Sequence, residues 1–224
     1  MRRAKIARKS TAVDMTAMCD VAFLLLSFFI LVARHKTEDN LNVQTPNSVS
    51  SVIVPEKNVV LLTMDRNAKV YFSVSEKNTA EKKLIIDAIS TAKGLNLTEL
   101  EKKNFYNNPS AYIGVPFESL RPYLDLHPDQ AKSYKSPGIP AQDSTNNQLI
   151  DWIHAAVTAF EGKPMTIMVK GDDAAAYPSF QAILIALKKN DQLKFKLVTN
   201  PVAAPAGSEL AKRQLLTGNK SSEE

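Results

Sequence analysis

Residues Met15 to Ala33 read MTAMCDVAFLLLSFFILVA. At about 1.5 Å per residue, a helix over this run covers roughly 28 Å, close to the roughly 30 Å hydrocarbon core of a bilayer. A cleaved signal peptide has a shorter apolar region, of about 7–15 residues, and a small-x-small cleavage site. This run is longer, carries an acid, and continues into VARHKTED, which offers no good cleavage site. It reads as an uncleaved anchor spanning 12–34. Arg2, Arg3, Lys5, Arg8 and Lys9 crowd the basic tail at 1–11, whereas only Arg34 and Lys36 closely follow the run, with Glu38 and Asp39 behind them. The positive-inside rule then places the N-terminus in the cytoplasm and the bulk of the chain on the far side, the periplasm in a bacterium.

The chain has 224 residues, one cysteine and a formal net charge of +5. One cysteine cannot form an intramolecular disulfide. Cys19 falls within the apolar run, where an inert, buried thiol is expected. The basic residues are not grouped as a nucleic-acid face. Their tightest cluster adjoins the anchor, where it sets topology and touches anionic lipid.

Asp14 and Asp20 differ in position. Thr11 and Asp14 sit at the start of the run in the spacing of a helix cap, and an acid there suits the positive end of the helix dipole. Asp20 lies inside the run. Insertion scales charge about 2.5–3.5 kcal/mol for Asp near a helix centre, and less toward an edge. Intramembrane acids face a bundle interior or a water-filled cavity and mark proton or ion pathways. Hydrocarbon disfavours the carboxylate anion, so Asp20 is placed to load and release protons. The plainer alternative is a neutral Asp bonded to a neighbouring helix. Thr16, four residues before it, and Ser27, seven after it, share its stripe as a supporting polar face. Phe23, Leu25, Phe28, Phe29 and Ile30 are left to lipid or partner. A lone helix cannot hide such a stripe, so the chain is expected to dimerise or to sit within a helical assembly.

Residues 35–57 are rich in Thr, Asn, Ser and Gln and read as a flexible linker, with Pro46 and Pro55 opposing regular structure. Leu41–Gln44 and Val52–Val54 are its candidate edge strands. Between 58 and 200 the pattern predicts an α/β domain. Strands at Val59–Met64 and Lys69–Ser73 flank the turn DRNA as a hairpin. A helix follows at Thr79–Lys93, with Leu84, Ile85, Ala88, Ile89 and Ala92 periodic and Gly94 as its stop. Residues 95–144 are proline-punctuated and read as an insertion with short helices at Leu97–Lys103 and Phe117–Leu124. Then come a helix at Asn146–Phe160, a strand at Met165–Lys170, a helix at Pro178–Lys189 and a strand at Lys194–Thr199. This order predicts an α+β protein: one transmembrane helix followed by a small two-layer domain with a mixed sheet and an inserted irregular and helical region. Residues 201–224 are Ala-, Pro-, Ser- and Glu-rich and read as a disordered tail.

No HExxH, P-loop, CxxC or GxSxG motif is present, so no enzyme activity is expected. His35, His127 and His154 are scattered, and no metal site or cofactor is expected. The acidic stretch KGDDAAAYP, at Lys170 to Pro178, reads as a strand-to-helix turn, and Trp152 as a core or rim aromatic.

The stretch AVDMTAMCDVAFLLLSFFILVA resembles the anchor signature of the ExbD/TolR family of proton-motive-force transducers. Val13, Asp14, Met15 and Thr16 fit, Ala17 stands where the family carries proline, and Asp20–Val21 match its Asp-Val pair. LNVQTPNSVSS is similar to the family's linker segment. VVLLTMDRNAKVYFS and the stretch from Met165 to Asn200 are similar to its periplasmic domain in order and spacing. The resemblance covers about residues 10–74 and 145–200. It implies that Asp20 is the proton-carrying aspartate of a homodimer whose anchors sit inside an ExbB-like multi-helix ring of the bacterial inner membrane. It also implies a TonB-like protein as the periplasmic output, and peptidoglycan as a partner if the chain is of the TolR type. A TolR-type subunit for envelope maintenance and a passive anchored binding protein stay open beside this reading.

Overall fold

The computed structural model describes residues 15–32, 41, 43–49, 55–107, 112–141, 146–209 and 211–212. The chain divides into two compact units, Met1–Glu38 and Asp39–Glu224. In the first, helix α1 (Met15–Val32) is continuous, and none of its residues is buried. It is the one helix among the described residues long and apolar enough to cross a membrane.

The second unit begins with β1 (Asn47–Ser48), followed by β2 (Val59–Met64), β3 (Val70–Val74) and α2 (Thr79–Lys93). Then come α3 (Glu99–Tyr106), α4 (Phe117–Leu124), α5 (Pro128–Ser133), α6 (Leu149–Ala159), β4 (Thr166–Gly171), α7 (Tyr177–Lys189), β5 (Phe195–Val198) and β6 (Asn200–Pro201). Four strands form a mixed sheet in the order β3-β2-β4-β5, with β2–β3 antiparallel and β2–β4 and β4–β5 parallel. The architecture is the expected α+β layering. A strand in a parallel pair is buried on both faces and reads as a continuous apolar run, as VVLLTM of β2 does.

The hairpin turn places Ala68 at φ 64°. The Asp65 carboxylate accepts the Lys69 N–H at 2.8 Å, and the Asp65 N–H donates to the Lys69 carbonyl at 3.0 Å. An Asx bond of this kind sets the turn locally. Val60, Leu62 and Met64 of β2 and Val70, Phe72 and Val74 of β3 face the helices, where Ile85, Ile86 and Ile89 of α2, Ile153 of α6 and Ile183 and Leu187 of α7 meet them. Trp152 of α6 is 0 % exposed, and its indole stacks on Phe72, Phe105 and Phe117 with centroids 5.2, 5.9 and 5.7 Å away. It is therefore the centre of the core. The expected apolar stripe of α2 is rotated slightly: Leu84 is 54 % exposed and Ile86 is fully buried.

Two of the three rings around Trp152 come from the insertion. Its α3 is closed by a capping box in which Thr98 and Glu101 exchange hydrogen bonds. The same carboxylate accepts Arg121 Nε of α4 at 2.8 Å and so joins the two short helices. Either side of α4, Ile113 exchanges backbone hydrogen bonds with Phe72, both 2.8 Å, and the Ile139 N–H donates to Val70 at 2.8 Å. The insertion thus closes the outer edge of β3. Unprotected edges are sites of unwanted pairing, and covering them is one remedy.

The linker differs from expectation. Among the described residues pairing occurs at Asn47–Ser48, parallel to Asn200–Pro201, rather than at 41 and 43–44. Residues 52–54 lie outside the described residues. Gln44 is held by Asp172, whose carboxylate accepts its N–H at 3.1 Å, and its carbonyl accepts the Asp173 N–H at 2.8 Å. Thr45 and Asn200 bond reciprocally, at 2.8 and 2.9 Å. Residues 200–202 therefore belong to the folded unit, where a disordered tail was expected to begin at 201. Such pairing joins segments some 150 residues apart, and no local pattern announces it.

Candidate functional site

Helix α1 carries one charged residue, Asp20. The Leu, Ile, Phe and Val side chains from Val21 to Val32 together favour insertion by roughly 3–6 kcal/mol, against about 2.5–3.5 kcal/mol for a central Asp. The helix therefore keeps enough apolar surface to span a bilayer with the acid in place. At 3.6 residues per turn, Thr16, Asp20 and Ser27 fall within an arc of about 40°, which makes one polar stripe along the helix. The same stepping places Phe23 on that stripe, one turn beyond Asp20, although the sequence pattern left it among the lipid- or partner-facing residues. The signal was present: Phe23 stands three residues after Asp20 and four before Ser27.

Ser27 Oγ donates to the Leu24 carbonyl at 3.0 Å. Its hydroxyl is thus engaged with its own helix, about two turns from the acid. Asp20 makes no hydrogen bond or ion pair among the described residues. Cys19, expected to be buried, is an exposed thiol on the helix surface, so only lipid or a partner can cover it. Thr11 and Asp14, the expected helix cap, lie outside the described residues.

The acids of the second unit are held differently. Glu81 accepts Lys163 Nζ and Asn78 Nδ2, and these bonds, Lys163 first, bring its carboxyl down to about 2. At Glu101 burial pushes the carboxyl up, but the Thr98 N–H and Arg121 outweigh it, and the group lies below the usual carboxylate range. Asp172 is likewise lowered, first by the Ala174 N–H, with the Gln44 N–H and Arg66 adding to it against burial. Each of these carboxylates is stabilised in its charged form and has a structural task. The stretch around Asp172 is the strand-to-helix turn expected there. His154 is exposed on α6.

A membrane-length apolar helix carrying one acid, followed by a mixed-sheet α+β domain, is the layout of a single-pass membrane protein. The family model described as "Biopolymer transport protein ExbD/TolR" matches residues 7–202, across anchor, insertion and domain alike. The chain belongs to the ExbD/TolR family, whose members are transport and transducer proteins working within membrane complexes. No curated protein and no solved structure matches it significantly.

Proposed function

We propose that this chain is the proton-carrying subunit of an inner-membrane motor that energises a TonB-like protein for transport across the outer membrane. The observation that carries the reading is Asp20: one acid, on a polar stripe, in the apolar helix of an ExbD/TolR-family chain. The N-terminus lies in the cytoplasm and the α/β domain in the periplasm. Two copies place their anchors inside a ring of an ExbB-like multi-helix protein. A proton arriving from the periplasm neutralises Asp20, and the helix leaves a polar partner for an apolar one. Release toward the cytoplasm restores the charge and draws the helix back. One charge moved through 100 mV is worth about 2.3 kcal/mol, enough to bias each step. Repeated steps turn the dimer against the ring, and the periplasmic domains pass the motion on.

The test has two stages. Affinity purification in mild detergent is expected to recover an ExbB-like multi-helix protein with this chain. Asp20→Asn is then expected to leave membrane insertion intact and to abolish energised uptake. A chain recovered alone as a stable dimer, with uptake unaffected by Asp20→Asn, would make Asp20 a helix contact and the protein a passive anchor. Detergent sensitivity of a deletion strain, without nutrient starvation, would assign the TolR-type envelope role instead.

A further inference from the structure

The insertion does more than close an edge. Residues 112–136, which carry α4 and α5, pass the outer edge of β3 and come to lie beside Lys69 and Tyr71. Val70, Phe72 and Val74 point into the core, so Lys69 and Tyr71, which alternate with them, point to the other face of the sheet. There the arm encloses a cavity of about 270 Å3 lined by Tyr71, Tyr112, Tyr123, Tyr134, Lys69 and Lys135, with Ser133 and Ser136 beside them. Four of the chain's six tyrosines meet in this one place. Among the described residues the lining contains two lysines and no carboxylate.

The floor of the cleft is built to stay in place. Gly114 lies flat under the Tyr71 ring: a Cβ there would stand 2.2 Å from Tyr71 Cδ1. Gly138, at φ +93°, lets the chain pass Lys69, whose Cβ would be 2.8 Å from an added methyl. The Gly138 N–H donates to the Gly114 carbonyl at 2.7 Å, and Lys69 Nζ donates to the Ser136 carbonyl at 3.0 Å. Burial, with Asp65 next to it, pushes the Tyr71 phenol up to about 12, so it remains neutral at physiological pH. Tyr71, Tyr112 and Tyr123 are nearly buried, whereas Tyr134 is 42 % exposed, its ring 5.4 Å from that of Tyr123. The rim is therefore open and the floor fixed.

We propose that this cleft is a docking site for an extended, acidic segment of a partner protein. Tyrosines with serines give large, rigid, amphipathic contact at low entropic cost, the composition of protein-recognition surfaces, and tyrosine is enriched among the residues that dominate binding energy. The volume lies just below the roughly 300–1,000 Å3 of small-ligand pockets. It accepts one or two anchoring side chains of a chain that continues over the rim. Asp65 is turned to the Tyr71 phenol at the floor and Lys69 Nζ to the Ser136 carbonyl, so the exposed Lys135 gives the rim its positive charge, which selects carboxylates and disfavours basic segments. The inference concerns the cleft between the hairpin and the insertion and does not depend on proton transfer at Asp20.

The test is panning of a phage-displayed library of random dodecapeptides against the full-length chain in detergent. A selected peptide is then titrated against wild type, Tyr134→Ala and Lys135→Glu. Both substitutions fall on the exposed rim, and Trp152 fluorescence reports that the core is unchanged. Asp- and Glu-containing peptides are expected, with affinity falling about tenfold or more in each variant and again when the peptide's acids become amides. Failure to select any peptide sensitive to Tyr134 and Lys135 would overturn the proposal. So would equal selection of acid-free peptides, or displacement of the peptide by a soluble β-linked amino-sugar tetramer, which would make the cleft a glycan site.

Discussion

Two groups of acids in this chain obey opposite rules. In the folded unit, Glu81, Glu101 and Asp172 each have a cation and at least one N–H donor, and each is shifted toward its charged form. On α1, Asp20 has no such partner among the described residues. A carboxylate held by several donors is fixed in one state and can only support structure. A carboxyl group without such donors is left to contacts beyond the described residues. The acids with a visible structural task therefore lie in the domain, and the proton-carrying role proposed above falls on the one acid of α1.

The largest effects should come from Asp20 and Trp152, through unrelated mechanisms. Asp20→Asn should abolish energised output at unchanged membrane abundance, and Asp20→Glu should retain part of it, both read by uptake against immunoblotted membrane levels. Trp152→Ala should cost the domain about 3–5 kcal/mol by opening a cavity between Phe72, Phe105 and Phe117, measured by denaturant unfolding followed by circular dichroism. Gly114→Ala should cost about 1–3 kcal/mol, because the new methyl displaces the Tyr71 ring, read in the same experiment.

A smaller effect separates the domain acids by pH. The Glu81 carboxyl lies at about 2 when folded, against 4.5 for its ordinary value. In that window the unfolded chain binds the extra proton. The bond's contribution is therefore complete above about pH 4.5 and is lost as pH falls toward 2. Glu81→Gln should flatten this part of the acid stability curve, checked by unfolding midpoints across the window. Ser27→Ala should change least, since its hydroxyl serves the Leu24 carbonyl. A strong loss of output with that variant would show that the polar stripe, and not Asp20 alone, carries the chemistry.

Much of the fold was legible because its signals are local. The α2 and α4 boundaries coincide with those read from the pattern, as do those of β2, since apolar periodicity and flanking turn residues sit within one window. The membrane-length helix was legible for the same reason. What escaped was either irregular or non-local. Helix α5 begins at Pro128 and ends within six residues, too short to show a period. The pairing of Asn47–Ser48 with Asn200–Pro201 has no apolar alternation at all. The tyrosine cleft assembles from β3, the segment before α4, α4 itself and the segment after α5, and Tyr112, Tyr123 and Tyr134 resemble scattered aromatics until the insertion folds back. Ile86 and not Leu84 is in the core because the two lie about 100° either side of Ile85 on α2, on opposite flanks of the apolar stripe, and only packing decides which flank is covered.

The most direct measurement of the central claim is proton flux into liposomes containing the intact complex of this chain with its co-purified membrane partner, under an imposed potential. The account predicts a flux that disappears with Asp20→Asn while the complex remains assembled. Flux undiminished by that substitution would contradict it.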